Sequence, residues 1–240
     1  MRVEQQSGYV LHARPYRETS LLLDCISVDH GRVALVARSV RCAKPRFSRA
    51  VLQPFVPLEL GWVGGGDLAT LSAAESAGPA LPLTGQALVC AIYINELVLR
   101  LLPRHDPLPD FFPCYVGALH GLSDGISHAW TLRRFERDLL ACIGYALVLE
   151  HDADSGQPLV ADAEYAYIPE HGPTLATRDS SVLRVTGRAL LGLALDEMPA
   201  VADLASLRRL LRALIRHQLG GASLHSWTMG RIAGGTFESQ

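Results

Sequence analysis

The chain has 240 residues, 49% of them hydrophobic, with 22 Lys+Arg against 24 Asp+Glu and a net charge of −2. Its low charged fraction, 19%, excludes wholesale disorder, and the length has room for two domains. Spread evenly, such a balance would also exclude a nucleic-acid binder, because phosphate binding needs concentrated positive charge, so the distribution of charge along the chain decides. Residues 1–6 carry no apolar segment behind Arg2 and do not read as a secretory signal. The charge-free stretch 76–95 is broken by Gly78, Pro79, Pro82 and Gly85 and does not read as a membrane span. Five widely spaced cysteines, never paired as C-x-x-C, read as reduced thiols of a cytoplasmic protein.

Short apolar runs at 8–13, 20–28, 32–38, 52–62 and 67–74 are separated by turn residues. Five runs of strand length in about 70 residues predict a small β-barrel of OB type, and an SH3-like barrel fits nearly as well. Asp29-His30-Gly31 and Gly64-Gly65-Gly66-Asp67 read as hairpin turns. Composition changes at 77–85, which divides the chain into a barrel at 1–80 and a helical domain at 81–240. Thr84 stands where an N-cap belongs, and 86–102 reads as a largely buried helix stopped by Pro103. Further helices are predicted at 110–122, at 132–144 with Gly144 as its stop, at 186–195 and at 203–219. Between them, 150–182 reads as a loop-rich insert with a short hairpin around 164–168. The fold class is therefore α+β, a five-stranded barrel followed by an α-helical domain.

The strongest local feature is electrostatic. No acid lies between Asp29 and Glu59, while Arg32, Arg38, Arg41, Lys44, Arg46 and Arg49 fall within eighteen residues. With 32–38 a strand and 40–49 the loop after it, these six side chains converge on one face and edge of the barrel. Such a groove suits the phosphates of single-stranded nucleic acid, with Tyr9, Tyr16, Phe47 or Trp62 to stack bases; the plainer alternative is a solvated loop. The row Arg208, Arg209, Arg212 and Arg216 reads first as the wet face of an amphipathic helix, and Arg133, Arg134 and Arg137 as locally paired. Gly121-Leu122-Ser123-Asp124-Gly125 matches the G-x-S-x-G string, but a nucleophile elbow follows a strand and 110–120 reads as helix, so no catalytic residue is assigned. Glu150-His151-Asp152-x-Asp154 offers metal donors without the spacing of a hydrolytic site. Gly64-Gly65-Gly66 lacks the Gly-Lys-Ser/Thr of a phosphate loop.

Several strings, in order, carry a family likeness. They are Gly8-Tyr9-Val10-Leu11, Arg14-Pro15-Tyr16-x-Glu18-x-Ser20 with Leu21-Leu22-Leu23, Gly31-Arg32 and Ala37-Arg38. Leu52-Gln53-Pro54-Phe55 with Leu58, and Leu68-x-x-Leu71 with Glu75, continue it. In the helical part stand Leu132-Arg133-Arg134-Phe135-Glu136-x-x-Leu139-Leu140, Ile143-Gly144-Tyr145, Leu190-Leu191 and Leu219-Gly220-Gly221. Together they resemble the RecO family of bacterial DNA repair proteins over nearly the whole chain.

The resemblance implies an N-terminal OB fold, a helical domain, and a non-catalytic recombination mediator without cofactors, located in the cytoplasm at the nucleoid. It implies binding of single- and double-stranded DNA, annealing of complementary strands, and help for RecA in replacing single-strand-binding protein (SSB), with RecR as a partner. It favours the groove reading of Arg32 to Arg49. An acidic SSB tail ending in a carboxylate needs an arginine beside an apolar pocket, and Arg133 or Arg134 beside Phe135 and Leu139 is the expected place. Some relatives carry a four-cysteine zinc site in the insert, but 146–180 contains no cysteine here, so no zinc is expected. Where relatives continue with a basic Lys-Ser-Arg-like segment, this chain has Ser223-Leu224-His225-Ser226-Trp227. The alternative function is an adaptor whose barrel docks acidic proteins. Charge segregation favours DNA: residues 1–80 hold nine bases and seven acids, 81–240 thirteen and seventeen.

Overall fold

The first strand, β1 (Arg2–Tyr16), is long because it serves two partners, antiparallel to β2 (Ser20–Ser27) along its second half and to β4 (Leu58–Val63) along its first. Register shifts between Val3 and Gln6 and between Val10 and His12 bend it, as bulges do. With β3 (Gly31–Ala37) and β5 (Ala69–Ser76) the order is β1-β2-β3-β5-β4, a closed barrel sealed by a short parallel pairing of Leu35 with Ala69 and Val36 with Thr70. Both predicted hairpins are present. The computed structural model describes residues 1–125, 127–175 and 183–227.

Val10, Leu23, Cys25, Leu35, Leu58, Leu60 and Leu71 fill the barrel, and burial drives the Cys25 thiol well above its ordinary range. The run expected as a strand over 52–62 is strand only from Leu58. Pro54 and Pro57 offer no N–H to a ladder and Phe55 sits at φ 68°, so this stretch stays loop while Leu52 and Val56 enter the core.

The chain forms two units, Met1–Thr84 with Ala91–Ser123, and Gly85–Cys90 with Asp124–Gln240. The break thus falls inside α1 (Gly85–Leu101), and α2 (Phe111–Ser123) groups with the barrel. The reason is a buried polar link. Asn95 Nδ2 donates to Leu11 O at 2.9 Å, the Tyr115 hydroxyl donates to Asn95 Oδ1 at 2.8 Å, and Tyr115 meets Tyr9 edge-on at 5.6 Å. Gly31, at φ +59°, lies so close to the Asp106 carbonyl that an added Cβ would stand 2.1 Å from it.

In the other unit, α3 (His128–Cys142) is capped by Ser127, and Gly144 follows it at φ +89°. The insert folds further than a hairpin: β6 (Glu164–Ile168) lies between β7 (Gly172–Leu175) and β8 (Arg184–Thr186), all antiparallel. Residues 176–182 of the predicted insert and 228–240 of the predicted domain lie outside the described residues. Thr186 then caps α4 (Gly187–Ala194) through Ala189 N and donates to Asp203 in α5 (Val201–Gln218), whose Leu207, Leu210, Leu211, Leu214 and Ile215 are buried.

Gly31→Ala is expected to destabilise the protein by about 2 kcal/mol or more, from αL strain plus displacement of the 105–107 backbone. Thermal melting checks it, with Gly65→Ala, where an added Cβ meets nothing within 4 Å, as the neutral control.

Candidate nucleic-acid interface

The basic segment after β3 is an anchored loop. Val40 N and Arg41 N donate to Thr19 O at 2.9 and 2.8 Å, Arg46 N donates to Ser39 O at 3.0 Å, and Val40, Phe47 and Leu52 are buried in the barrel core. With the apolar residues turned inward, Arg38, Arg41, Lys44, Arg46 and Arg49 are all exposed. Arg46 is partly committed, since its guanidinium lies over Phe47 and donates to Ser72 O at 3.1 Å.

Arg32 departs from this group. It donates to the Leu99 carbonyl inside the unit, beside the Arg104–Asp24 ion pair of 3.0 Å. Burial, and then the nearby Arg104 charge, lower its pKa against the pull of Asp24. Arg32 thus braces β3 against α1, because this face of the strand is covered, whereas the cations of the following loop meet water.

The aromatic expectations narrow in the same way. Tyr9 is buried against Phe112 and Tyr115, Phe47 is in the core, and Trp62 is buried edge-on to His30. Only Tyr16 of the four is partly exposed, with Arg17 over its ring at 5.2 Å. It lines a cleft of about 740 Å³ with Arg17, Thr19, Arg38, Ser39 and Thr70, and Glu18 on its wall. Arg17 and Thr19 were not expected in the groove. The signal for them lay in the barrel itself, since OB-type barrels bind between the β1–β2 and β4–β5 loops.

In the second unit, Arg133 is buried and paired with Glu136 at 2.7 Å, and Phe135 and Leu139 are core residues. Burial drives the neighbouring Cys90 thiol up to about 12. Of the expected tail-binding set only Arg134 is exposed. Instead of pairing with Asp138, it makes a two-pronged contact with Asp196 at 3.0 and 3.1 Å, which Arg137 joins at 2.7 Å. Against the cost of partial burial, these bonds hold the Asp196 carboxyl below its ordinary range.

The other patterns resolve structurally. Gly121 to Ser123 end a helix, which is not the strand an elbow requires. Asp152 accepts from Ser155 N and Oγ, Leu175 N and Asp154 N, bonds that lower its pKa and occupy it in turn formation. Among the described residues no three His, Cys, Asp or Glu side chains gather as a metal site, and no helix is long and apolar enough to cross a membrane.

A closed five-stranded barrel with an exposed basic loop, followed by helices, defines an OB-type architecture. Comparison with known proteins makes this specific. The family model "Recombination protein O N terminal" matches residues 1–80 and "Recombination protein O C terminal" matches 82–228. A DNA repair protein RecO of Nitrosococcus oceani is 47% identical over 228 residues, covering 94% of this chain and 92% of the relative. Those of Xanthomonas oryzae pv. oryzae and Stenotrophomonas maltophilia are 44% and 46% identical, each covering 95% of this chain and 97% of the relative. The chain belongs to the RecO family, and its role is in DNA repair and recombination.

Arg32 and Arg38 are expected to behave oppositely on truncation. Arg32→Ala lowers stability by about 1–3 kcal/mol, through loss of a charged bond to a covered carbonyl, and leaves oligonucleotide affinity of the folded protein unchanged. Arg38→Ala leaves the melting temperature unchanged and weakens binding. Melting curves and fluorescence anisotropy on the same preparations check both.

Proposed function

We propose that this protein is a non-catalytic recombination mediator that binds DNA through the barrel, anneals complementary strands and helps RecA onto SSB-coated single strands, working with RecR. The observation that carries the DNA reading is the loop of five exposed cations, free of acids in sequence, beside a cleft that offers one partly exposed tyrosine. Cations on an anchored loop neutralise phosphates without reading bases, which suits a protein that must land anywhere on exposed strands. Neutralised phosphates also let two strands approach. Tyr16 supplies a stacking face once Arg17 swings off it.

Arg38→Glu combined with Arg41→Glu is expected to lower affinity for a single-stranded oligonucleotide at least about tenfold at low salt, and to flatten the log–log salt dependence by roughly 1.5 units. Binding at full strength would place the DNA site elsewhere. An adaptor for acidic proteins would instead show a shallow salt slope with bare DNA.

For the acidic SSB tail, Arg134 is the exposed member of the expected set, and its exchange of Asp196 for a peptide carboxylate is the proposed docking step. Arg134→Glu is expected to abolish binding of a labelled tail peptide, and Asp196→Asn to strengthen it by releasing the guanidinium. Unchanged affinity in both variants would remove the tail from this helix.

A further inference from the structure

The second unit has an excess of acid, and its arginines mostly find it. Arg133 pairs with Glu136, Arg134 and Arg137 with Asp196, Arg184 with Glu164, and Arg188 with Asp162. Three arginines of helix α5 differ. From Leu204 to Trp227 the sequence holds four arginines, two histidines and no acid. Arg208 is half-buried, whereas Arg209, Arg212 and Arg216 are exposed at spacings of three and four, which puts them in one stripe. None of these three forms an ion pair among the described residues. Their contacts are of another kind: Arg212 lies over the Trp227 ring at 4.4 Å, and Arg216 Nε donates to Gly221 O at 3.4 Å.

We propose that this stripe is a second nucleic-acid contact, holding the backbone of a DNA strand independently of the barrel. Three features select this ligand. The stripe advances about 4.5 and then 6 Å along the helix axis, one to two nucleotide steps of a strand. Cation–π contact with Trp227 restrains the Arg212 guanidinium without using up its hydrogen-bond donors, which can then meet phosphate oxygens. Finally, the exposed positions between Arg209 and Arg216 carry no large apolar side chain, and an acidic protein partner would want an apolar centre among the charges. The proposal deepens the annealing reading, since a chain with a strand site on each unit can hold two strands.

The test uses the full-length protein, labelled oligonucleotides, and three variants: the triple Arg209→Ala, Arg212→Ala, Arg216→Ala; the barrel pair Arg38→Glu, Arg41→Glu; and their combination. Circular dichroism verifies folding, and the corresponding Arg→Gln triple replaces the alanine set if that set unfolds. In the barrel variant, residual single-strand binding is expected to fall about twentyfold between 50 and 200 mM salt, the mark of three neutralised phosphates, and to disappear in the combined variant. The triple variant is expected to lose most annealing of complementary strands. Trp227→Ala is expected to give an intermediate loss, and Trp227→Phe to retain most activity. A triple variant with the salt slope and annealing rate of the wild type overturns the proposal. So does one that loses capture of poly-glutamate while binding DNA normally. Wild-type binding by the barrel variant, with loss in the triple, would overturn the barrel reading and leave this one standing.

Discussion

Closing the barrel through parallel strands is the constraint on which the rest of the first unit depends. β3 and β5 run side by side in the same direction, so the chain leaving β3 cannot turn back in a tight hairpin; it must leave the sheet, travel, and return as β4 before β5 can seal the seam. The travelling segment is the basic loop. It crosses an open barrel end that has to be covered, which is why Val40, Phe47, Leu52 and Val56 turn inward. The cations interspersed among them have nowhere to go but outward. One stretch of sequence thus completes a hydrophobic core and presents a charged surface.

The same sorting runs through the arginines of the described residues. Each covered guanidinium has one fixed group that accepts a hydrogen bond from it, a backbone carbonyl for Arg32 and a carboxylate for Arg133. Because the interior demands such partners, an arginine's role follows from what stands opposite it. Arg32 and Arg38 are six residues apart on one strand and its exit, yet the first holds helix α1 to the barrel and the second is free to meet a ligand.

Much of this was legible in the sequence. The alternating runs, the two hairpin turns and the period of the helices gave the five helices nearly in place and the five strands in order, though β1 runs from Arg2 to Tyr16 where only 8–13 was expected, because each records a local periodicity. What failed was non-local. The 52–57 stretch is as apolar as a strand, but its apolar residues are there to fill a barrel end, which no local pattern reveals. Arg32 shares its neighbours' charge but not their solvent, and Phe135 and Leu139 read as a pocket edge until packing placed them inside. The α5 stripe was visible as spacing. That Arg209, Arg212 and Arg216 have no ion pair among the described residues became visible only beside the paired arginines of the same unit.

The anchoring of the basic loop also fixes when disorder is lost. A free polycationic tail must surrender its backbone freedom at the moment it meets a strand, and that cost is subtracted from the encounter. Here Phe47 and Leu52 are buried in the barrel core and anchor the loop, so its charges are held in place in the folded unit. On the proposed function, the readiness of this surface to meet a strand is tied to the integrity of the barrel core, and softening that core is expected to weaken binding without altering a single charge.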